Sequence, residues 1–304
     1  MGKILLEGLY VLAGLICLAT AYMAIKDKEH PAKFGTSLFW MLLAATFIVG
    51  KYLPPVVVGA VLLVMGGLTA FNQVKIGTLK NSDENFRIEK SKEIGNKIFI
   101  PALTIAVFAF GIAQFTDLGG LVGLGFGAIA ATIIAMLMTK AEPKYIPYDG
   151  SRLLQQVGAV SILPQLLAAL GALFNAAGVG EVISSGISGI IPQGNILAGV
   201  IAYCVGMALF TMIMGNAFAA FAVITAGIGL PFVFSQGANP AIAGILALTA
   251  GYCGTLMTPM AANFNIVPAA ILETKNKNRV ILTQAPLGIA LLITHIVLMY
   301  IWAF

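Results

Sequence analysis

The sequence predicts an all-α, polytopic membrane protein of about eight transmembrane helices, with one re-entrant helical hairpin and one broken helix. Three observations carry that expectation. Of the 304 residues, 59% are hydrophobic and 10% charged, with a mean hydropathy of +0.96, which is too little polar surface to coat a water-soluble globule of this size. Apolar runs near the ~20 residues that span a bilayer recur from end to end, unlike the ~10-residue alternating strands of a barrel. No charged side chain lies between Glu181 and Glu273, yet small and amide residues interrupt that stretch twice, at Met214-Gly215-Asn216-Ala217 and from Gly254 to Asn265.

The first run, 4–25, is followed by no small-residue cleavage site and reads as a retained span. Further spans are expected over 34–50, 54–71, 98–115, 119–139 and 153–177. The connector 72–97 mixes Lys75, Lys80, Arg87, Lys90, Lys92 and Lys97 with Asp83, Glu84, Glu89 and Glu93, and reads as a solvated helical or flexible link. Gly119, Gly120, Gly123, Gly125 and Gly127 form a helix-packing face, since a phosphate loop needs Lys-Ser/Thr beside it. Ser184 to Ser188, before Pro192, read as a short interfacial helix on the outer side.

Basic residues fall in every second loop. Lys26, Lys28 and Lys33 are followed by 72–97 and then by Lys140, Lys144 and Arg152, while the alternate connectors hold only Lys51 and Asp117. The positive-inside rule therefore puts the N-terminus outside the cytoplasmic (inner) membrane, and Lys275, Lys277 and Arg279 inside. Everything between span 153–177 and that last basic loop must make one net crossing. Residues 194–272 are too long for one, so a hairpin is expected with arms 196–213 and 217–232, its tip at mid-depth. After the Ser235–Pro240 turn a broken span, 241–272, crosses inward, and 280–303 returns outward, leaving both termini outside. Two regions result: 1–150, an N-terminal membrane region of five helices, and 151–304, a transport-like half-repeat.

The formal charge of +5 reports topology and not a nucleic-acid face, because the Lys and Arg residues sit in short interhelical loops. Cys17, Cys204 and Cys253 lie in apolar segments without metal-ligand spacing and read as buried thiols. His30 and His295 have no paired His, no acidic cluster and no Gly-x-Ser-x-Gly elbow accompanies them, and the chain reads as no enzyme, with no organic cofactor.

The two interruptions are the candidate site. In hydrocarbon a broken helix leaves N–H and C=O groups unpaired at several kcal/mol each, so a break is tolerated only where protein, water or a ligand supplies partners. Gly215 permits backbone conformations closed to other residues, Asn216 offers an amide, and Ala217 restarts the helix. The alternative is that Gly215 packs and Asn216 bonds a neighbouring helix. In the second motif Gly254 and Pro259 weaken the helix while Thr255, Thr258, Asn263 and Asn265 supply oxygens, which suit a dehydrated monovalent cation such as Na⁺. The half-helices restarting near Ala217 and Met260 aim positive dipole ends at the midplane, where a carboxylate needs no Arg or Lys. Here the alternative is a proline kink with hydroxyls bonded back to their own helix. Upstream, Gln155, Gln156, Gln165 and Asn175 either line a polar path or bond neighbouring helices.

Gly215-Asn216-Ala217, followed by Gly254-Thr255, Thr258-Pro259 and Asn263, resembles one half of the ion transporter superfamily that includes divalent anion/sodium symporters, gluconate carriers and C4-dicarboxylate carriers. There a Ser-Asn-Thr-type tip precedes a Gly-Thr-x-x-Thr-Pro-x-x-Asn-like broken helix. The tip departs from that pattern, with Gly and Ala where hydroxyls are usual, which leaves Na⁺ and H⁺ both open as coupling ion. Over nearly its whole length, most clearly 150–304, the chain is also similar to the larger subunit of the two-component bacterial membrane family described as 5-oxoproline transporters. That resemblance implies a smaller membrane subunit bearing the complementary half-repeat. Independently, carriers of this architecture use two inverted halves, and only one hairpin and broken-helix pair occurs here.

The expected function is a subunit of a secondary active transporter for a small carboxylate. A channel-like pore subunit is the alternative from another class; it calls for continuous polar rings rather than one polar break. A structural or sensory subunit has no need of two interrupted helices at one depth.

Overall fold

The computed structural model describes residues 1–188 and 194–304, and every regular element among them is helical. Eight helical stretches of the described residues are long and apolar enough to cross a membrane; both arms of the expected hairpin are among them, while 55–70, 240–255 and 262–271 are shorter. The molecule is an all-α, polytopic membrane protein. It forms two compact units, 1–158 and 159–304.

The first unit holds α1 (Gly2–Lys26), α2 (Lys33–Val49), α3 (Pro55–Ala70), α4 (Glu84–Ile94), α5 (Phe99–Phe115), α6 (Gly120–Thr139) and α7 (Tyr145–Val157). α1 and α2 pack together, and Ala21, Ala24, Phe39, Trp40, Leu43 and Ala44 on them are buried. Of the glycines expected to form a packing face, Gly123 and Gly127 of α6 approach α5, their Cβ positions 2.7 Å from Phe108 O and 2.9 Å from Ile105 Cα, and Gly125 meets the Leu9 side chain of α1, whereas Gly119 has no neighbour within 4 Å and Gly120 only Ala113 Cβ at 3.6 Å. α7 adds to this unit the residues beyond the expected boundary at 150. Its Ser151 hydroxyl accepts from Thr20 of α1 at 3.3 Å, and its Gln155 Oε1 accepts the Gly77 N–H at 2.9 Å.

Connector 72–97 is only partly a free link. Asp83 caps α4, its Oδ1 accepting from the Asn85 N–H at 2.7 Å, and no residue of α4 is fully buried. Residues 73–80, by contrast, are held by their backbone. Thr36 Oγ1 accepts the Lys75 N–H at 3.0 Å, Tyr148 OH accepts the Lys80 N–H at 3.1 Å, and Asp27 accepts both the N–H and the hydroxyl of Thr78, at 2.7 and 2.9 Å. Partial burial pushes the Asp27 carboxyl up, but the Thr78 and Glu29 hydrogen bonds and nearby His30 outweigh it and hold the group below its ordinary value. A depressed folded-state value gives a stabilisation that is complete above the unfolded carboxylate range and is lost as pH falls through the lower folded value. Protection of the Thr78 amide, measured by hydrogen exchange against its intrinsic rate, is therefore expected to hold through neutral and mildly acidic pH and to fall under strong acid. Asp27→Asn should abolish that acid-dependent loss, and a parent profile with no acid limb would contradict the clamp.

The second unit holds α8 (Leu163–Ala176), α9 (Val179–Ser188), α10 (Ile196–Met214), α11 (Ala217–Ile224), a π-helical turn (Thr225–Gly229), α12 (Leu230–Phe232), α13 (Pro240–Thr255), α14 (Ala262–Ile271) and α15 (Arg279–Trp302). The expected interfacial helix is the end of α9, and Pro192 lies outside the described residues. Asn195 caps α10 and Asn239 caps α13, each carboxamide oxygen accepting a first-turn N–H at 3.0 Å. The core joins Val200, Tyr203, Cys204 and Met207 of α10 to Ala243, Ala247 and Ala250 of α13 and Met299 of α15. All three cysteines are free and buried.

α10 and α11 form a hairpin, and α13 and α14 are separated by the interruption over 256–261. Gly288 of α15 fixes the height of the interruption, since its Cβ position lies 3.2 Å from Cys253 O and 3.4 Å from Met257 Cγ. At 1.5 Å per residue, 279–288 rises about 14 Å and 288–302 about 21 Å. The break is thus well inside the length of α15.

Candidate functional site

α10 ends because Gly215 takes the left-handed conformation, φ 67° and ψ 3°, with its N–H on Thr211 O at 2.7 Å. The next residue starts α11. Asn216 Oδ1 accepts the N–H groups of Phe218 and Ala219 at 2.9 and 3.3 Å. A glycine C-cap followed at once by an asparagine N-cap reverses the chain with almost no loop. Gly215 also touches the second interruption, as a Cβ there would stand 2.3 Å from Met260 O and 2.7 Å from Leu167 Cδ1.

At the break, Asn265 is fully buried and donates through Nδ2 to Thr255 O and Thr258 O, both at 2.7 Å. It reaches back from α14 and satisfies carbonyls that the end of α13 leaves without helical partners. Thr258 ties the break to the hairpin, its hydroxyl donating to Met212 O at 2.7 Å and accepting the Met260 N–H at 3.2 Å. The Thr255 hydroxyl turns back to Tyr252 O at 2.6 Å. α14 begins after Ala261 with no side-chain cap.

Between tip, break and α8 lies a cavity of about 240 Å³. Of the sequence-predicted residues, Gly215, Asn216, Ala217, Thr255 and Asn263 line it. Gly254, Thr258, Pro259 and Asn265 do not. Gly254 is spent on packing, its Cβ position 2.2 Å from Ala208 O, while Thr258 and Asn265 are buried at 3% and 0% exposure and stitch the backbone. The Asn216 amide, expected as an ion or carboxylate contact, has its oxygen in the α11 cap. Gln155, Gln156, Gln165 and Asn175 line no part of the cavity; Gln165 has its amide nitrogen within 3.1 Å of Ile162 O when oriented to donate, and Asn175 is exposed.

Sequence reasoning missed the aromatic wall. Tyr252 stands edge-on to Phe218 and to Phe264, with centroids 6.1 and 6.4 Å apart. These rings come from three elements, and the available signal was an aromatic next to each interruption. Among the described residues no charged side chain lines the cavity. Among the described residues no group of three or more His, Cys, Asp or Glu side chains is placed to hold a metal ion. Asn265 Oδ1 and Thr211 Oγ1 are buried oxygens without a hydrogen-bond partner.

The cap makes a prediction of its own. Asn216→Ala should destabilise the hairpin by about 0.5–2 kcal/mol, whereas Asn216→Asp or Ser should retain most of it. Thermal unfolding of the chain in nanodiscs reads the difference, and an Ala variant as stable as the parent would remove the cap from the account.

Residues 7–304 match a family model described as "Protein of unknown function (DUF979)". No curated protein and no solved structure matches the chain.

Proposed function

The chain belongs to the family described as Protein of unknown function (DUF979), and we propose that it is a subunit of a secondary active transporter that carries a small carboxylate across the cytoplasmic membrane. One observation carries this reading: a helix start at a hairpin tip and a helix start after a broken span open into the same uncharged cavity. The positive dipole ends of α11 and α14 there favour an anion without a cationic side chain. At about 240 Å³ the space suits a molecule smaller than the usual drug-sized ligand. The rings of Phe218, Tyr252 and Phe264 suit an apolar or planar body, in keeping with 5-oxoproline, the substrate implied by the family resemblance.

The coupling ion is Na⁺ or H⁺. The buried, donor-free Asn265 Oδ1 favours Na⁺, because a neutral oxygen with no proton to accept from protein is a ready cation ligand. One hairpin and broken-helix pair makes half of an inverted-repeat carrier, so the reading includes a smaller membrane subunit supplying the other half. Both termini are proposed to face outward.

The test is counterflow of radiolabelled 5-oxoproline, glutamate and short dicarboxylates in proteoliposomes, with this chain alone and with a candidate smaller subunit. Saturable, Na⁺- or pH-dependent exchange of one of these only when both subunits are present is the expected result. Passive, non-saturating flux would favour a pore, and saturable uptake by the chain alone would remove the partner.

A further inference from the structure

The second arm of the hairpin is not a plain helix. Between α11 and α12, residues Thr225–Gly229 form a π-helical turn, and the Leu230 N–H reaches five residues back to Thr225 O. A π turn holds one residue more than an α turn would, and it persists only where its surroundings fix it. Three contacts do so. Tyr203 of α10, fully buried, shares a 2.7 Å hydrogen bond between its hydroxyl and that of Thr225. The Tyr203 ring lies 2.8 Å from where a Gly229 Cβ would be, and Gly227 approaches α9 so closely that its Cβ would meet Gly180 O at 2.5 Å. Elsewhere threonines within these helices commonly bond back to a carbonyl of their own helix, as Thr104, Thr132, Thr249 and Thr294 do. Thr225 instead pairs its hydroxyl with that of Tyr203.

Reverting the turn to α-helix would change the register of α11 by one residue against α12, a rotation of about 100° and a shift of about 1.5 Å. α11 carries Ala217 and Phe218 and is capped by Asn216, and all three residues line the cavity. We propose that this π turn is a register hinge for the hairpin tip, and that Tyr203 is the positioning residue that pins it through Thr225. Released, α11 rotates and takes Phe218 away from Tyr252, opening the cavity on the hairpin side; pinned, it closes the aromatic wall. What the motion serves rests on the reading of the cavity as a substrate site, whereas the hinge itself does not.

The experiment uses the full chain in nanodiscs and needs no transport. Hydrogen exchange of amides 217–232 is expected to quicken about two- to tenfold in Tyr203→Phe and in Thr225→Val, the loss of one hydrogen bond, with no further gain in the double variant and none in α13. Thr225→Ser, which keeps the hydroxyl, should exchange like the parent. In a background lacking Cys17, Cys204 and Cys253, a Phe218→Cys/Tyr252→Cys pair should react with a short bifunctional thiol cross-linker, and less so once Tyr203→Phe is added. Parent-like exchange in both single variants, additive effects in the double, or cross-linking unchanged by Tyr203→Phe would overturn the hinge. Should Tyr203→Phe fail to fold, the Thr225→Val and Thr225→Ser pair decides by the same readouts. Failure of carboxylate counterflow with these results intact would sink the transport reading and leave the hinge standing.

Discussion

Gly215→Ala is expected to destabilise the chain by about 2–5 kcal/mol, read as the loss of thermal or denaturant stability in nanodiscs. Two costs combine. A left-handed conformation at φ 67° penalises any residue with a Cβ by roughly 1–2 kcal/mol. The added methyl would also stand 2.3 Å from Met260 O, a backbone atom that cannot swing aside, and overpacking of this kind costs typically 1–3 kcal/mol. Because the contact joins the hairpin tip to the break, the variant should expose both: thiol labelling at a cysteine replacing Asn263 is expected to quicken. A Gly215→Ala protein with parent-like stability would mean that tip and break do not touch.

Asn265→Ala is expected to be comparably damaging. The carboxamide is the donor to two buried carbonyls, Thr255 O and Thr258 O, and each buried acceptor left without a partner costs about 1–3 kcal/mol, so the sum is roughly 2–6 kcal/mol. Asn265→Asp should do no better, since an ionised carboxylate brings acceptors against acceptors in a site with no counter-charge. The same variants bear on the coupling ion. If Na⁺ sits at the free Oδ1, Na⁺ should raise the unfolding temperature of the parent more than K⁺ does, and this difference should vanish in Asn265→Ala. Retained stability in Asn265→Ala would show that the carbonyls at the break find other partners, and a Na⁺ effect surviving in that variant would place the ion elsewhere.

Much of this architecture is legible in the sequence. The hairpin arms expected at 196–213 and 217–232 are α10 and the α11–α12 arm, and the break expected at 254–265 contains the interruption between Thr255 and Ala262. They were readable because Gly, Asn and Pro act on their own backbone: a left-handed glycine or a missing N–H stops a helix whatever packs around it. The close approaches at Gly123, Gly125 and Gly127 of α6 were readable for a similar reason, as residues without side chains let another helix come close.

What each polar group does was not legible. Asn216, Thr258 and Asn265 look alike in sequence, as neutral oxygens beside a break. The tertiary structure spends the Asn216 oxygen on the α11 cap, ties Thr258 to the carbonyl of Met212, and turns Asn265 onto two carbonyls of the preceding helix end. The choice depends on which donor or acceptor a neighbouring helix leaves unpaired within about 3 Å, and no periodicity encodes that distance. The aromatic wall is the same case, since Phe218, Tyr252 and Phe264 meet only because three elements converge. By itself, then, the sequence determined the helical membrane class and the places where the chain breaks, both set by solvation and local backbone chemistry. Only the tertiary structure decided which residues face the cavity, because facing is settled by packing between segments far apart in the chain.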